Sequence, residues 1–183
     1  MEIKHFKQTL SKIKKKNIAI MGHMGSGKSI FGKKIANYFN LQNIDIDEEI
    51  VKFENTTINK IFSNKGEAYF REIESKITLK ILNKSNVVIS LGGGSILNKR
   101  IRDKLNKHSL SIFLDVDIKV LNIRLKNSQK RPLLKDRNIL TTLKQLDAQR
   151  RKYYLDADIK INNSGALNKT FLIFKKIFSS LNG

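Results

Sequence analysis

The chain contains no cysteine in its 183 residues. Disulfides, thiolate nucleophiles and cysteine–zinc sites are therefore excluded together. Its three histidines, His5, His23 and His108, are scattered and form no metal-binding cluster. Proline occurs once, at Pro132. There are no internal repeats, no low-complexity linkers and no compositional break to mark a second domain. No stretch approaches the ~20 apolar residues that a membrane span needs. Met1 to Lys16 is basic but lacks an uninterrupted apolar core and a small-residue cleavage site, so it makes a poor secretory signal. A cytoplasmic protein with no membrane partner is expected. Acidic residues are scarce, 16 against 36 Lys and Arg, for a net charge of +20. Such a charge can mark a nucleic-acid binder. Here the lysines run along the whole chain, and the densest run, Lys14-Lys15-Lys16, has no interleaved aromatics of a single-strand platform. The charge reads as a solvated surface that also draws in anionic substrates, and no nucleic-acid partner is expected.

What is present is more informative. Gly22-His23-Met24-Gly25-Ser26-Gly27-Lys28-Ser29 fits the phosphate-binding pattern G-x-x-x-x-G-K-[ST]. Asn17 to Met21 before it reads as a short buried strand, and Ile30 to Phe39 after it as a helix. Glycines let the backbone curl with its N–H groups toward an anion, and the helix adds the positive end of its dipole. Lys28 can reach β- and γ-phosphates, and the Ser29 hydroxyl can ligate magnesium. His23 reads as a loop filler rather than a base.

Apolar runs predict further strands at Asn43–Ile46, Val87–Leu91, Leu110–Leu114 and, more weakly, Asp158–Ile161. Helical spacing predicts helices over Glu67–Leu82, Asp117–Leu125, Leu140–Tyr154 and Asn168–Leu181. The alternation implies a three-layer α/β/α sandwich on a five-stranded parallel sheet. Residues 1–16, with Ile3, Phe6, Leu10 and Ile13 spaced by three and four, read as a basic helical extension laid on a single domain over 17–183. The polar stretch at about 126–138 has the length of a functional loop and reads as a mobile lid.

Four further groups carry chemistry. Asp45 and Asp47, if extended, point to one face. One suits the metal and the other an acceptor hydroxyl, where a carboxylate can take the proton. The alternative is a helix N-cap with an acidic first turn, and both readings can hold for Asp47. Arg71 and Glu74 share a helix face. They read as a surface ion pair or, more sharply, as a guanidinium held to clamp a carboxylate. Gly92-Gly93-Gly94 after a buried strand suits a substrate lying on the backbone, or a tight turn. Arg131 in the lid suits charge stabilisation at a γ-phosphate, and Arg150-Arg151-Lys152-Tyr153-Tyr154, taken alone, reads as a basic solvated face.

In this order and spacing, Gly22–Ser29, Asp45-x-Asp47, Phe70-Arg71-x-Ile73-Glu74, Gly92–Gly94 and Arg131-Pro132-Leu133-Leu134 resemble the shikimate kinase family from about Lys16 to Ile161. The resemblance implies a P-loop kinase that phosphorylates the 3-hydroxyl of shikimate with ATP and Mg2+, yielding shikimate 3-phosphate and ADP, in the aromatic amino acid pathway. It implies that Gly25, Ser26, Gly27, Lys28, Ser29 and Ile30 hold the phosphates, with Ser29 and Asp45 at the metal. Asp47 binds shikimate hydroxyls and is the candidate base. Arg71, Gly93 and Arg150 bind the acceptor, Arg131 reaches from the lid, and Arg124 lies near the adenine. Lys28, Asp47 and Arg131 form the catalytic set. Lys152 stands where the family often has proline, and the small one-domain plan suits a monomer. Gluconate or nucleoside monophosphate kinases share the loop and lid, and a basic ATP-switched nucleic-acid binder is the reading from a different class. The first group lacks Arg71 with the glycine triplet, and the dispersed lysines argue against the second.

Overall fold

The computed structural model describes residues 2–126 and 138–181. The expected lid at 126–138, including Arg131, falls almost wholly outside them. The elements run α1 (Glu2–Lys12), β1 (Asn17–Met21), α2 (Lys28–Phe39), β2 (Gln42–Asp45), α3 (Ile46–Glu54), α4 (Ile58–Ile81), β3 (Val87–Ser90), α5 (Lys99–His108), β4 (Ser109–Asp115), α6 (Ile118–Leu125), α7 (Ile139–Tyr154), β5 (Ile159–Asn162) and α8 (Leu167–Ser180). The five strands pair in parallel in the order β2-β3-β1-β4-β5.

The sheet explains why its central strands read as unbroken apolar runs. Ile18 and Ile20 of β1 face a cluster shared with α1, α2 and α8, while Ala19 and Met21 face a second cluster shared with α3, α4 and α5. Both faces are covered, so apolar residues dominate, and polar ones such as Asn17, Ser90, Ser109 and Ser111 are buried as well. β5 differs: Ile159 and Ile161 are buried, whereas Lys160 and Asn162 are exposed. That alternation is why its sequence signal is weak.

The N-terminal helix packs by the three-and-four spacing of its apolar residues. Phe6 is fully buried, with its ring 5.0 Å from Phe39 and 5.9 Å from Phe178. A third, smaller cluster joins Leu121 and Leu125 of α6 to Leu143 of α7 over Met24 of the glycine loop.

Three sequence expectations change. Ile46 does not end β2; it opens α3, because the Asp45 side chain accepts from the Asp47 N–H and caps the helix there. The helix expected from Glu67 is the second half of α4, which kinks at Gly66 (φ 80°). The helices expected from spacing do not include its first half, α3 or α5; each of these begins at a side-chain cap, Thr57, Asp45 and Asn98 respectively.

Candidate active site

In an open parallel sheet, ligands bind beyond the carboxyl ends of the strands. Here β1 leads to Gly22–Gly27, β2 to Asp45, β3 to Gly92–Gly94 and β5 to Asn163. The topology thus gathers at one sheet edge groups that lie far apart in the chain.

The glycine loop has the geometry of an anion cradle. Gly25 (φ 77°) and Gly27 (φ 91°) occupy the left-handed region, and Gly27 is the N-cap of α2. Lys28, Ser29 and Ile30 form the first turn, where N–H groups have no intrahelical acceptor. Lys28 folds back across the loop, its Nζ donating to the carbonyls of Gly22 and His23 at 2.9 Å each. A phosphate entering the loop meets the ammonium group already held over it.

Ser29 and Asp45 meet directly: the Ser29 Oγ donates to Asp45 Oδ2 at 2.5 Å. Magnesium takes hard oxygen donors and keeps waters and phosphate oxygens in its shell rather than an all-protein cage. One carboxylate beside one hydroxyl at the mouth of a phosphate loop fits that preference. Among the described residues there is no group of three His, Cys, Asp or Glu side chains for a fuller cage.

Asp45 is extended but Asp47 is helical, so the same-face premise fails. Asp45 is the last residue of β2 and the N-cap, while Asp47 is half-buried in the first turn of α3. The helix turn separates their directions: Asp45 turns to Ser29, and Asp47 starts from a different face.

Arg71 is no loose surface ion. Its Nη1 donates to Glu74 Oε2 at 2.7 Å and its Nη2 to Glu67 Oε1 at 3.0 Å. Burial pulls its pKa down, but the Glu74 and Glu67 carboxylates outweigh this and raise it. Glu74 is only 2% exposed and also accepts from Ser95 Oγ at 2.8 Å. The glycine triplet is explained mainly by this pair. A Cβ on Gly92 would collide with the Glu74 carboxylate, and one on Gly94 with the Arg71 guanidinium. Two of the three glycines thus make room for the clamp rather than for a substrate. The middle one is different: a Cβ on Gly93 would sit 3.4 Å from the Gly22 carbonyl and 3.5 Å from Arg150 Nη1.

Arg150 and Arg151 part company. Arg151 pairs with Asp115 at 3.1 Å and with Asp147 at 3.5 Å. Arg150 is 3% exposed, and its Nε has no hydrogen-bond partner among the described residues. Burial lowers its pKa, the phenol of Tyr154 offsetting part of the effect. The neighbouring carboxylates are engaged elsewhere: Glu74 with Arg71, Asp147 with His23 and Asp115 with Arg151. A buried guanidinium whose Nε is unspent is a place for an anion. The reading of 150–154 as a solvated basic face is therefore overturned at Arg150: that side of α7 faces the crevice rather than water.

Several contacts are invisible in the sequence, even where the residue itself, as with Arg124, is a sequence candidate. Tyr154, one turn beyond Arg150, donates from its hydroxyl to the Gly93 carbonyl at 2.6 Å, and burial raises its pKa. Asn163 donates to the Ser26 carbonyl at 2.7 Å and accepts from Thr170 Oγ1 at 2.7 Å, so it clamps the glycine loop from the far side of the sheet. Arg124 donates to the Asn163 carbonyl at 2.9 Å and to the Gly25 carbonyl at 3.4 Å, beside the same loop. His23 is more than filler. It is buried, with Nε2 2.9 Å from Asp147 Oδ1, and burial is the main cause of its lowered pKa. A polar side chain inside the glycine loop, with a carboxylate three residues before Arg150, was the only available signal.

The comparisons with known proteins agree with this geometry. The family model for shikimate kinase matches residues 24–182. A shikimate kinase of Bartonella quintana is 40% identical over 157 residues, covering 86% of this chain and 75% of its own length. One from Aquifex aeolicus is 38% identical over 166 residues, covering 91% and 96%. Among solved structures, the shikimate kinase of Acinetobacter baumannii in complex with shikimate superposes with a TM-score of 0.85 at 27% identity, covering 94% of this chain and 98% of that one. Sequence, fold and the layout of the crevice converge, and the chain belongs to the shikimate kinase family.

Proposed function

We propose that the crevice transfers the γ-phosphoryl group of ATP to the 3-hydroxyl of shikimate, with the residues in the roles below. The chain is an ATP- and Mg2+-dependent kinase with shikimate as its acceptor. The observation that carries the division of roles is the buried guanidinium of Arg150 facing Gly93, while Arg71 is held by Glu74 across the same loop. Two cations on one side suit a carboxylate, and the glycine loop with Lys28 on the other suits a polyphosphate.

Gly25 to Ile30 bind the phosphates through backbone N–H groups, and Lys28 carries the main positive charge. Ser29 and Asp45 would hold Mg2+, which, when bound, neutralises charge on the β- and γ-oxygens. Asp47 orients the acceptor hydroxyl and takes its proton as the bond to phosphorus forms. Arg71, Gly93 and Arg150 fix the acceptor carboxylate, which turns a bimolecular encounter into an oriented one. Arg124 packs against the adenine, and Arg131, which lies outside the described residues, is assigned to the nucleotide phosphates. Residues 17–183 act as one kinase domain, and 1–16 are an appended helix. The protein works as a cytoplasmic monomer without a nucleic-acid or membrane partner. The dispersed lysines support this, and no helix among the described residues is long and apolar enough to cross a membrane.

The test offers Mg-ATP with shikimate, gluconate or nucleoside monophosphates and measures ADP release for each. Turnover with shikimate alone is expected. Turnover of gluconate or a nucleotide, with none on shikimate, refutes the proposal.

A further inference from the structure

His23 stands where three binding elements meet. Its backbone carbonyl accepts from Lys28 Nζ at 2.9 Å. Its ring reaches across to α7, with Nε2 2.9 Å from Asp147 Oδ1. The ring also lies edge-on to Tyr154, with centroids 5.0 Å apart, and the Tyr154 hydroxyl donates to the Gly93 carbonyl at 2.6 Å. Asp147 and Arg150 are three residues apart on α7, so they lie on neighbouring turns of one face.

A carboxylate only accepts, so Nε2 carries the hydrogen in this pair. Nδ1 is then a bare acceptor, and it has no partner among the described residues. An apolar side chain would fill the same space but add no directional tie between the loop and this part of α7, where Tyr154 and Arg151 make the other ties. A directional hydrogen bond between buried groups supplies one. Arg151 donates to the same Asp147 oxygen, Oδ1, at 3.5 Å and pairs with Asp115 at 3.1 Å, which links that carboxylate to the end of β4.

We infer that His23 and Asp147 form a positioning pair: the hydrogen bond locks the helix that carries Arg150 against the phosphate loop and so sets the spacing between donor phosphate and acceptor carboxylate. The inference rests on the proposed role of Arg150 toward shikimate. Neither residue of the pair touches a reacting atom. Their effect runs through Arg150 on one side and Lys28 on the other. A misplacement of about 1 Å between reactants can lower a rate by ~10²-fold, so a loosened pair acts on turnover more than on nucleotide binding.

The experiment is steady-state kinetics on the full chain, comparing wild type with His23→Phe, Asp147→Leu, their double variant, and the conservative His23→Gln and Asp147→Asn. Each disruptive single variant should lower kcat about ten-fold, with the KM for ATP moving less than about two-fold. The double variant should be no slower than the worse single one, because both remove the same interaction. The conservative variants, which keep a hydrogen bond, should recover most of the rate. If His23→Phe does not fold, Asp147→Leu and the conservative pair decide the matter. Unchanged kcat in the disruptive variants, multiplied losses in the double variant, or a KM for ATP that rises as far as kcat falls would each overturn the pair while leaving the function standing. A wild type inert toward shikimate overturns the function itself, and the inference with it.

Discussion

Replacing Arg150 with methionine should make the empty protein more stable and nearly blind to shikimate. The side chain is 3% exposed, and its Nε has no partner among the described residues. Taking an ion out of water carries an effective penalty of several kcal/mol, even after relaxation. The Tyr154 phenol offsets part of it, and burial still lowers the Arg150 pKa. Methionine keeps the length of the stem and fills a similar volume, so little cavity is left. The expected gain is about 1–3 kcal/mol in the absence of ligand. At ~2–4 °C per kcal/mol for a chain of this size, Tm should rise by about 2–12 °C. Charge-assisted hydrogen bonds to a carboxylate are worth about 1.5–3 kcal/mol each, so losing a forked contact should raise the KM for shikimate by ~10²-fold or more. Differential scanning calorimetry without ligand, then with saturating shikimate, checks both halves. Shikimate should raise the Tm of the wild type and leave that of the variant where it was. A ligand-free variant that melts below the wild type, or one that keeps its affinity for shikimate, refutes the view that Arg150 is a strained cation held for an anion.

Arg71→Ala should raise the KM for shikimate with the KM for ATP nearly unchanged; an equal rise in both would make Arg71 structural. Glu74→Ala should shift shikimate binding in the same direction and, in urea titration, also lower stability by about 2–4 kcal/mol, because it leaves buried partners of a carboxylate that is 2% exposed without their acceptor. Lys28→Ala should abolish phosphoryl transfer while the far-ultraviolet circular dichroism stays native, since its Nζ bonds to the Gly22 and His23 carbonyls lie within the loop itself. Burial holds the His23 pKa below its ordinary value. The unfolded chain then binds the proton first, so the His23 contribution to stability is complete above about pH 6.5 and declines as the pH falls toward the folded-state value. Urea unfolding at pH 7.5 and 5.5 should show a larger acid loss for wild type than for His23→Gln, and equal losses would contradict this.

How much was legible varies with the range of the interaction. The phosphate loop was legible because its requirements are local: positive φ at Gly25 and Gly27, a lysine and a hydroxyl at the next two positions, a strand before and a helix after. The central strands were legible because burial on both faces makes them mostly apolar, with Asn17, Ser90, Ser109 and Ser111 breaking the runs. Ser29 beside Asp45 could be anticipated as two metal-side oxygens, but not as a direct hydrogen bond, which depends on β2 lying one strand away from β1, across β3.

The sequence by itself determined the class of chemistry, because a phosphate-binding loop, paired strands and helices, and a full set of candidate cations are written in residue type and spacing. Only the tertiary structure decided which cation is for whom. Arg150 and Arg151 are neighbours of identical chemistry, yet α7 turns one into the crevice and the other onto Asp115. The glycine triplet reads as one feature, yet packing assigns Gly92 to Glu74, Gly94 to Arg71 and Gly93 to the site. A helix rotates each successive side chain by about 100°, so direction depends on which face meets the sheet. That face is chosen by the whole core, and no local stretch of sequence contains it.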